Sequence, residues 1–157
     1  KRQGYRRDIH ADGLRHRAVH VLIEHPDGRI LLQKRSHMKD VNPGAWDTSA
    51  AGHVDYGESY EDAAYREVQE ELGFTPPLLT PVGRLDAAGN TGWEFVQVYC
   101  ASHAGPFSHN SHEIEALSWF EPAEIINMIE SGRDITRSFH GVWQLFRGFR
   151  SPRPALP

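Results

Sequence analysis

Residues 52–74 constrain the fold more than any other part of this sequence, because they join a glycine-bearing lead-in to a strongly helical pattern. The segment reads GHVDYGESYEDAAYREVQEELGF. Helical spacing begins near Ser59, a residue type that caps helices, with Asp62 three residues further on. The pattern ends at Gly73, which tolerates the left-handed conformation of a helix stop, and prolines follow shortly after it. The segment therefore predicts a loop followed by a helix.

Three glutamates fall on one face of this predicted helix. At about 3.6 residues per turn, Glu67, Glu70 and Glu71 lie within an arc of roughly 100°. Ala63 and Ala64 are expected on the glutamate side one turn earlier, where small side chains leave space for a ligand. Unpaired like charges at this spacing cost a few tenths of a kcal/mol per pair, and a divalent cation held by oxygen reverses that cost. A solvated acidic surface fits the same spacing, so spacing alone leaves both interpretations open.

The acidity of the chain is concentrated in this one segment. The formal net charge is −4, from 21 acidic and 17 basic residues. Residues 52–74 hold seven of the acidic residues and one basic residue, which leaves 14 acidic and 16 basic residues elsewhere. A concentrated carboxylate cluster either repels itself in solvent or holds a cation. No basic stripe with interleaved aromatic residues is present, so nucleic acid is not an expected partner.

Length and composition indicate an ordinary globular protein. The 157 residues are enough for a single domain, 1–157, in which about 1–9 and 150–157 are expected to be loose tails. No apolar run approaches the roughly 20 residues needed to cross a bilayer, so no membrane association is expected. No signal-peptide pattern follows the basic N-terminus. The single cysteine, Cys100, suits a reducing compartment, and we expect a cytoplasmic protein.

Strands and helices alternate along the rest of the chain. Strands are predicted over residues 16–24, 29–34, 47–53, 78–86, 93–102 and 113–120, and helices over 122–130 and 136–149. Turn chemistry between the first two strands predicts a hairpin. This interleaving favours a layered α/β domain.

The glutamate-rich segment resembles the signature of the Nudix hydrolases. That pattern is Gly, five residues, Glu, seven residues, Arg-Glu, an aliphatic residue, any residue, Glu-Glu, any residue, Gly and an apolar residue. The chain matches it without departure, at Gly52, Glu58, Arg66, Glu67, Val68, Glu70, Glu71, Gly73 and Phe74. The resemblance implies an α/β/α sandwich with a mixed central β-sheet, and hydrolysis of a diphosphate linkage in a small molecule.

The same resemblance implies roles for individual residues. The metal ligands would be Glu58, Glu67, Glu70 and Glu71, binding Mg²⁺ or, in its place, Mn²⁺. The catalytic groups would be Glu70, Glu71, Arg66 and Glu113, where Glu113 is the preferred candidate outside the signature as metal ligand or general base. Substrate contacts are predicted for Arg35, Trp46 and Gly52, although surface charge and core packing are alternative roles for the first two. A homodimer is expected because related enzymes are often dimers.

The flanking sequence resembles the Nudix branch that includes isopentenyl diphosphate isomerase. The segments HRAVHVLI, GRILLQKRS and KDVNPGAWDTSAAGHVDYGES carry this likeness. It implies a second metal site formed by His10, His16, His53 and Glu113, with a donor set that suits Mn²⁺ or Zn²⁺. The isomerases, however, have a catalytic cysteine where this chain has Ala51, and alanine can neither give nor take a proton.

These observations define three functional hypotheses. The first is a metal-dependent hydrolase of a small diphosphate, most simply a nucleoside diphosphate derivative. The second is an isoprenoid-diphosphate enzyme, either a hydrolase or an isomerase. The third is a non-catalytic nucleotide-sensing module, which the intact set of signature glutamates disfavours.

Overall fold

A computed structural model describes residues 16–39 and 42–150 of the chain. The elements in this part of the chain are β1 (His16–Glu24), β2 (Ile30–Arg35), β3 (Trp46–Asp47), β4 (Ala50–His53), α1 (Tyr60–Leu72), β5 (Thr80–Leu85), β6 (Glu94–Ser102), β7 (Ile114–Phe120), α2 (Pro122–Glu130) and α3 (Phe139–Arg150). The predicted elements are confirmed to within three residues at their ends, except that the predicted strand over 47–53 forms two separate strands. His10 and the segments 1–9 and 151–157 lie outside the described residues, whereas Arg150 is the last residue of α3 and no part of a tail.

The strands form one mixed sheet in which β1 is central. β6 runs parallel to β1 along its whole length, with His16 opposite Glu94 and Glu24 opposite Ser102. The other pairings are antiparallel: β1 with β2 and β4, β2 with β3 and β7, and β5 with β6. The predicted hairpin of β1 and β2 is confirmed. A mixed sheet of this kind needs a long connection before its parallel strand, and α1 lies within that connection.

Helices cover both faces of the sheet, so the expected α/β/α sandwich is confirmed. Residues of α1 share one hydrophobic cluster with alternate residues of β1 and β6, while residues of α2 and α3 share the other cluster with the intervening ones. Ala63 and Ala64 are fully buried in the first cluster. The expectation that they leave space for a ligand was wrong, because their side of α1 packs on the sheet.

Both ends of α1 have the caps that the sequence predicts. The Ser59 side chain accepts a hydrogen bond from the main-chain N–H of Asp62 at 3.0 Å. Gly73 follows the last turn at φ 76°, and its N–H donates to the carbonyl of Gln69 at 3.1 Å. A residue with a side chain would be strained in this left-handed conformation. The caps fix the length of α1 and with it the register of its glutamates.

Adjacent residues of strand β4 lie on opposite faces of the sheet. Ala50 belongs to the cluster beneath α1, and Gly52, two residues further on, shares that face. His53 pairs with Ala18, which packs in the cluster beneath α2 and α3, so the His53 side chain lies on the opposite face. Two consecutive residues of one short strand therefore contribute to two different surfaces of the sheet.

Within the part of the chain that the structure describes, the helices are all too short or too polar to span a bilayer.

Candidate active site

Arg66, at the middle of α1, organises carboxylates of the helix and of the loop that precedes it. Its Nε and Nη2 donate to the two carboxylate oxygens of Glu58 at 2.9 and 3.0 Å. Its Nη1 donates to Glu67 Oε2 at 2.9 Å and to Glu70 Oε1 at 3.3 Å. Nη2 also donates to the main-chain oxygen of His53 at 2.9 Å. One guanidinium group therefore connects three acidic side chains to the end of β4.

Glu58 supports the loop that precedes α1. Its Oε1 accepts a hydrogen bond from the N–H of Asp55 at 2.9 Å, and its own N–H donates to the Asp55 carbonyl at 2.9 Å. The hydrogen bond from Arg66 lowers the pKa of Glu58 against the opposing effect of burial, so this carboxylate stays ionised at neutral pH. Because both oxygens already accept strong hydrogen bonds, Glu58 stabilises the loop geometry.

Glu67 occupies the space that a side chain at position 52 would fill. A Cβ atom built on Gly52 would lie 2.1 Å from Glu67 Oε2, far inside van der Waals contact. Gly52 has an ordinary backbone conformation, so the close approach of the carboxylate, and not the local φ, requires glycine here. As a result Glu67 is pressed against β4 and is only 9% exposed.

Glu71 is held by the sheet. Its Oε1 accepts one hydrogen bond from the Gln33 side chain, Nε2 at 2.9 Å, and a longer one from the N–H of Ala51 at 3.3 Å. The Glu67 carboxyl, one turn earlier on α1, lies close enough to raise the pKa of Glu71. Two neighbouring carboxyl groups of which one is buried and the other half-buried favour a state in which one of them carries a proton.

The carboxyl pair of Glu67 and Glu71 has a strongly perturbed acidity. Burial raises the pKa of Glu71 well above its ordinary value, and contact with Glu67 raises it further. Burial also raises the pKa of Glu67, although Glu71 and Arg66 oppose that shift. A divalent cation bound by carboxylate oxygens would supply the positive charge that this pair lacks, so the donor set fits Mg²⁺ or Mn²⁺.

Glu70 differs from its neighbours in being open to solvent. Its side chain is 59% exposed, and its hydrogen bond with Arg66 is the longest of that group. The three glutamates of the α1 face therefore differ in exposure: Glu67 is buried, Glu71 is half-buried and Glu70 is accessible. Mg²⁺ commonly binds through one or two carboxylates and completes its octahedron with water and substrate phosphate oxygens, which suits such an open arrangement.

A second cluster joins β1, β4 and β6. Glu94 Oε2 lies 2.7 Å from His16 Nε2 and 2.5 Å from His53 Nε2, and the two ring nitrogens are 3.1 Å apart. Among the described residues, these three side chains are the group whose candidate ligand atoms converge within 4.8 Å of one another. Although burial opposes it, hydrogen bonding from His53 and the charges of both histidines lower the pKa of Glu94.

The carboxylate in this cluster is Glu94, and the predicted Glu113 lies elsewhere. The structure brings His16 and His53 together as expected, and Glu94 reaches them because it lies opposite His16 in the parallel pairing of β1 and β6. Glu113 precedes β7 and forms an ion pair with Lys39. Its inclusion in the histidine site was therefore wrong, because the connection before β7 places it beside the 36–39 loop. The predicted His10 lies outside the described residues.

The predicted substrate residues Arg35 and Trp46 contact other parts of the fold. Arg35 Nη1 lies 3.8 Å from Asp47 Oδ2 in an ion pair between β2 and β3. Trp46 packs edge-to-face on Phe120, with ring centroids 5.1 Å apart, against the cluster beneath α2 and α3. The Trp46 contact corresponds to its alternative role of core packing, whereas Arg35 is 18% exposed and paired with Asp47, so it is not the surface charge of its alternative role.

Sequence reasoning missed two residues of this region, Gln33 and Glu94. Gln33 is a buried glutamine, 4% exposed, that follows three apolar residues of β2, and that pattern could have indicated a polar partner across the sheet. Glu94 stands at the start of an apolar strand, where a single acidic residue has no distinctive spacing. The parallel register with β1 was needed to assign it.

Comparison with known proteins agrees with this architecture. The NUDIX domain family matches residues 14–140. An uncharacterized Nudix hydrolase of Streptomyces coelicolor is 39% identical over 127 residues, which cover 78% of this chain and 69% of that protein. An uncharacterized Nudix hydrolase of Yersinia pestis is 36% identical over 124 residues, covering 78% of this chain and 68% of that protein.

Solved structures show the same fold. DR0079 from Deinococcus radiodurans superposes with a TM-score of 0.75 at 27% identity, covering 87% of this chain and 84% of that one. The NUDIX domain of Shewanella oneidensis NrtR, crystallised with ADP ribose, gives a TM-score of 0.70 over 92% of this chain and 98% of that one. Its identity is 16%, so this second likeness concerns the fold alone.

Proposed function

Because this chain belongs to the Nudix hydrolase family, whose members act on phosphoric anhydrides, we propose that it cleaves the diphosphate linkage of a small molecule with Mg²⁺ as cofactor. Mn²⁺ is the proposed substitute. The proposed substrate class is a nucleoside diphosphate derivative, and water is the attacking nucleophile. The signature from Gly52 to Phe74 is intact, which favours a catalytic domain over a sensing module.

The observation that carries this proposal is the adjacent carboxyl pair of Glu67, which is buried, and Glu71, which is half-buried and held by the sheet. Two acidic groups packed together beneath a helix cost folding free energy unless a proton or a cation compensates them. Burial raises the pKa of both Glu67 and Glu71, which means that the ionised forms of both are destabilised in the folded chain. Cation binding gives such an unfavourable pair, beside an exposed third glutamate, a function.

Each residue of the cluster would contribute a separate part of the reaction. Glu67, Glu70 and Glu71 would hold the cation, while Arg66 and Glu58 keep the loop and the helix face in register. When bound, divalent cations neutralise the diphosphate, polarise phosphorus and make water more acidic. The surrounding carboxylates then only need to orient the water and accept its proton.

Glu70 is the carboxylate best placed to accept that proton. It is the accessible member of the signature set, and its weak contact with Arg66 leaves most of its hydrogen-bonding capacity free. Glu113 remains the proposed candidate outside the signature, although its ion pair with Lys39 must open before it can act as a base. Comparing Glu70→Gln with Glu113→Gln assigns the role to whichever substitution removes turnover at saturating Mg²⁺.

We further propose that His16, His53 and Glu94 form a second metal site. Two imidazoles and a carboxylate are a donor set typical of Zn²⁺ or Mn²⁺. The convergence of three ligand atoms on one point supports this site, and its ligands come from three strands of the rigid sheet.

The histidine cluster also keeps an isoprenoid diphosphate as the second candidate substrate class, because the sequence resembles the isomerase branch at these histidines. Isomerisation itself would need an acid and a base at the reacting carbon. Ala51 provides neither, and Cys100 is buried among apolar residues on β6, 2% exposed. Incubation with isopentenyl diphosphate and either Mg²⁺ or Mn²⁺ separates the alternatives: monophosphate and phosphate indicate hydrolysis, dimethylallyl diphosphate indicates isomerisation, and unchanged substrate removes this class.

A broad substrate screen tests the main proposal. Nucleoside diphosphate derivatives, sugar nucleotides, dinucleoside polyphosphates and isoprenoid diphosphates are incubated with Mg²⁺, and released phosphate is measured after phosphatase treatment. ADP-ribose is the first compound to include, because the NrtR domain of the same fold was crystallised with it. We expect turnover of at least one diphosphate that stops when the metal is chelated.

Two substitutions on the same helix control this screen. Glu70→Gln is expected to abolish turnover, because it removes a proposed ligand and proton acceptor. Glu61→Gln removes another exposed acidic charge, in the first turn of the helix, and is expected to leave turnover intact. Metal-dependent turnover that survives in both Glu70→Gln and Glu71→Gln would contradict the assignment of the carboxylate cluster.

A further inference from the structure

Glu71 is connected to the centre of the sheet by a continuous series of hydrogen bonds. Gln33 Nε2 donates to Glu71 Oε1 at 2.9 Å and to the main-chain oxygen of Ser49 at 3.0 Å. Ser49 is itself fixed, because its Oγ donates to the carbonyl of Leu31 at 2.5 Å and accepts from the N–H of Ile23 at 2.8 Å. The series therefore runs from β1 and β2 through the Ser49 segment to the carboxylate on α1.

The Gln33 amide has no alternative orientation in this arrangement. Both N–H groups of an amide nitrogen are used when it donates to two acceptors, and reversing the amide would set its oxygen against the Ser49 carbonyl and the Glu71 carboxylate. Gln33 is 4% exposed and Ser49 is fully buried, so water does not compete for these hydrogen bonds. A buried amide with a single allowed orientation is a rigid support for the group that it contacts.

We infer that Gln33 is a positioning residue that determines which oxygen of Glu71 can bind the cation. Oε1 already accepts hydrogen bonds from Gln33 and from the N–H of Ala51, which leaves Oε2 as the oxygen without a donor from the sheet. Gln33 thus presents Oε2 to the cation and prevents the carboxylate from rotating. This inference rests on the proposed function and adds a residue outside the signature to its machinery.

A matched pair of buried glutamines tests this role. Gln33→Met keeps the approximate volume of the side chain but removes its donors. Gln97→Met is the control, because Gln97 is 7% exposed and also donates through Nε2 to a backbone carbonyl, that of Gly83 at 3.0 Å, on the other side of β1. Mn²⁺ affinity is measured by electron paramagnetic resonance of the free ion. We expect Gln33→Met to weaken Mn²⁺ binding about 10-fold and Gln97→Met to leave it unchanged.

A double-mutant cycle distinguishes positioning from a general packing effect. If Gln33 acts through Glu71, then Gln33→Met causes no further loss of Mn²⁺ affinity when Glu71→Gln is already present. Equal losses in the two backgrounds would overturn the inference. Wild-type protein that neither binds Mn²⁺ nor cleaves a diphosphate would instead overturn the proposed function, so the two failures are distinguishable.

A measurement on the wild-type chain keeps the inference testable even if Gln33→Met fails to fold. The side-chain NH₂ groups of Gln33 and Gln97 each give a pair of signals in a ¹H–¹⁵N spectrum. Titration with Mg²⁺ is expected to shift the Gln33 signals, because the Glu71 carboxylate that accepts the Gln33 hydrogen bond would then hold a cation. The Gln97 signals are expected to stay in place. An unshifted Gln33 pair at a Mg²⁺ concentration that saturates binding contradicts the inference.

Discussion

Two clusters of potential metal ligands lie on opposite sides of β4, and they are assembled in different ways. The carboxylate cluster comes from residues close together in sequence and is held by Arg66 and by the sheet. The histidine cluster draws one residue from each of three strands, separated by 37 and 78 positions from His16. Gly52 faces the first cluster and His53 the second, so one dipeptide links them.

The difference in assembly produces a difference in chemistry. The carboxylate cluster contains an acidic pair whose pKa values are raised even though Arg66 donates to Glu67. The histidine cluster combines imidazoles with a carboxylate whose pKa is lowered by hydrogen bonding from His53 and by the charges of both histidines, against the effect of burial. The first cluster therefore gains the most from a hard divalent cation, and the second has the donors for a transition ion.

The largest expected effect comes from Glu71→Gln, which breaks the carboxylate cluster while preserving its shape. Turnover is expected to fall by about 100-fold or more, because a lost metal ligand removes several kcal/mol of transition-state stabilisation. The glutamine oxygen can still accept the hydrogen bonds from Gln33 and Ala51, and its amide can donate to Glu67. Steady-state kinetics at saturating Mg²⁺ measure the loss.

The same variant is expected to be more stable than the wild type in the absence of metal. Because the folded-state pKa of Glu71 is raised, the stability it contributes is present below its unfolded value of about 4.3 and is lost as pH rises through the folded value. Glutamine does not titrate, so the advantage of Glu71→Gln should be larger at pH 8 than at pH 5. Thermal unfolding in chelator at both pH values checks this, and a variant that is less stable at pH 8 contradicts the proposed cost of the pair.

Gly52→Ala tests whether the carboxylate cluster depends on β4. The new Cβ atom would lie 2.1 Å from Glu67 Oε2, so the carboxylate must move away from the strand. We expect a loss of about 1–3 kcal/mol in the free energy of unfolding, with a parallel loss of Mg²⁺ affinity. Gly89→Ala is the matched control, because a Cβ atom there meets nothing within 4 Å. Urea unfolding of both variants measures the difference, and equal stabilities would refute the steric argument.

His53→Ala tests whether the histidine cluster, on the other side of β4, binds metal independently of the carboxylate cluster. It removes one of three converging ligand atoms, so Zn²⁺ affinity should fall at least about 10-fold in calorimetric titration. Glu71→Gln should leave Zn²⁺ affinity unchanged, because Glu71 belongs to the other cluster. If both variants lower Zn²⁺ affinity, the two clusters act as one site and the comparison fails.

The contrast between the clusters also explains how much of this protein could be predicted from its sequence. The strands, the helices and the caps at Ser59 and Gly73 follow from local periodicity and from residues with special backbone behaviour. The face shared by Glu67, Glu70 and Glu71 follows from helical geometry in the same way. Interactions within one helix and its adjacent loop are set by spacing, so they were predictable.

Contacts that depend on strand pairing were not predictable from spacing. Glu94 meets His16 only because β6 lies parallel to β1 in a particular register, and no local pattern specifies that register. Gln33 reaches Glu71 because α1 packs over β1 and β4 on the same face of the sheet, a contact between residues 38 positions apart. The misassignment of Glu113 has the same origin, since the family resemblance supplied a residue type without the strand order that would place it.

The smallest expected effect concerns the stability contributed by Glu94. Because its pKa is lowered in the folded chain, this contribution is present above the unfolded value of about 4.3 and is lost as pH falls through the folded value. Glu94→Gln should therefore reduce the free energy of unfolding by about 1 kcal/mol at pH 7, since it weakens the charge-assisted hydrogen bonds from His16 and His53. The difference between wild type and variant should shrink as pH falls below the unfolded value and the wild-type carboxyl becomes protonated. Urea unfolding in chelator at pH 7 and at a series of lower pH values gives the comparison, and a difference that does not shrink as pH falls would show that Glu94 acts by packing instead of by charge.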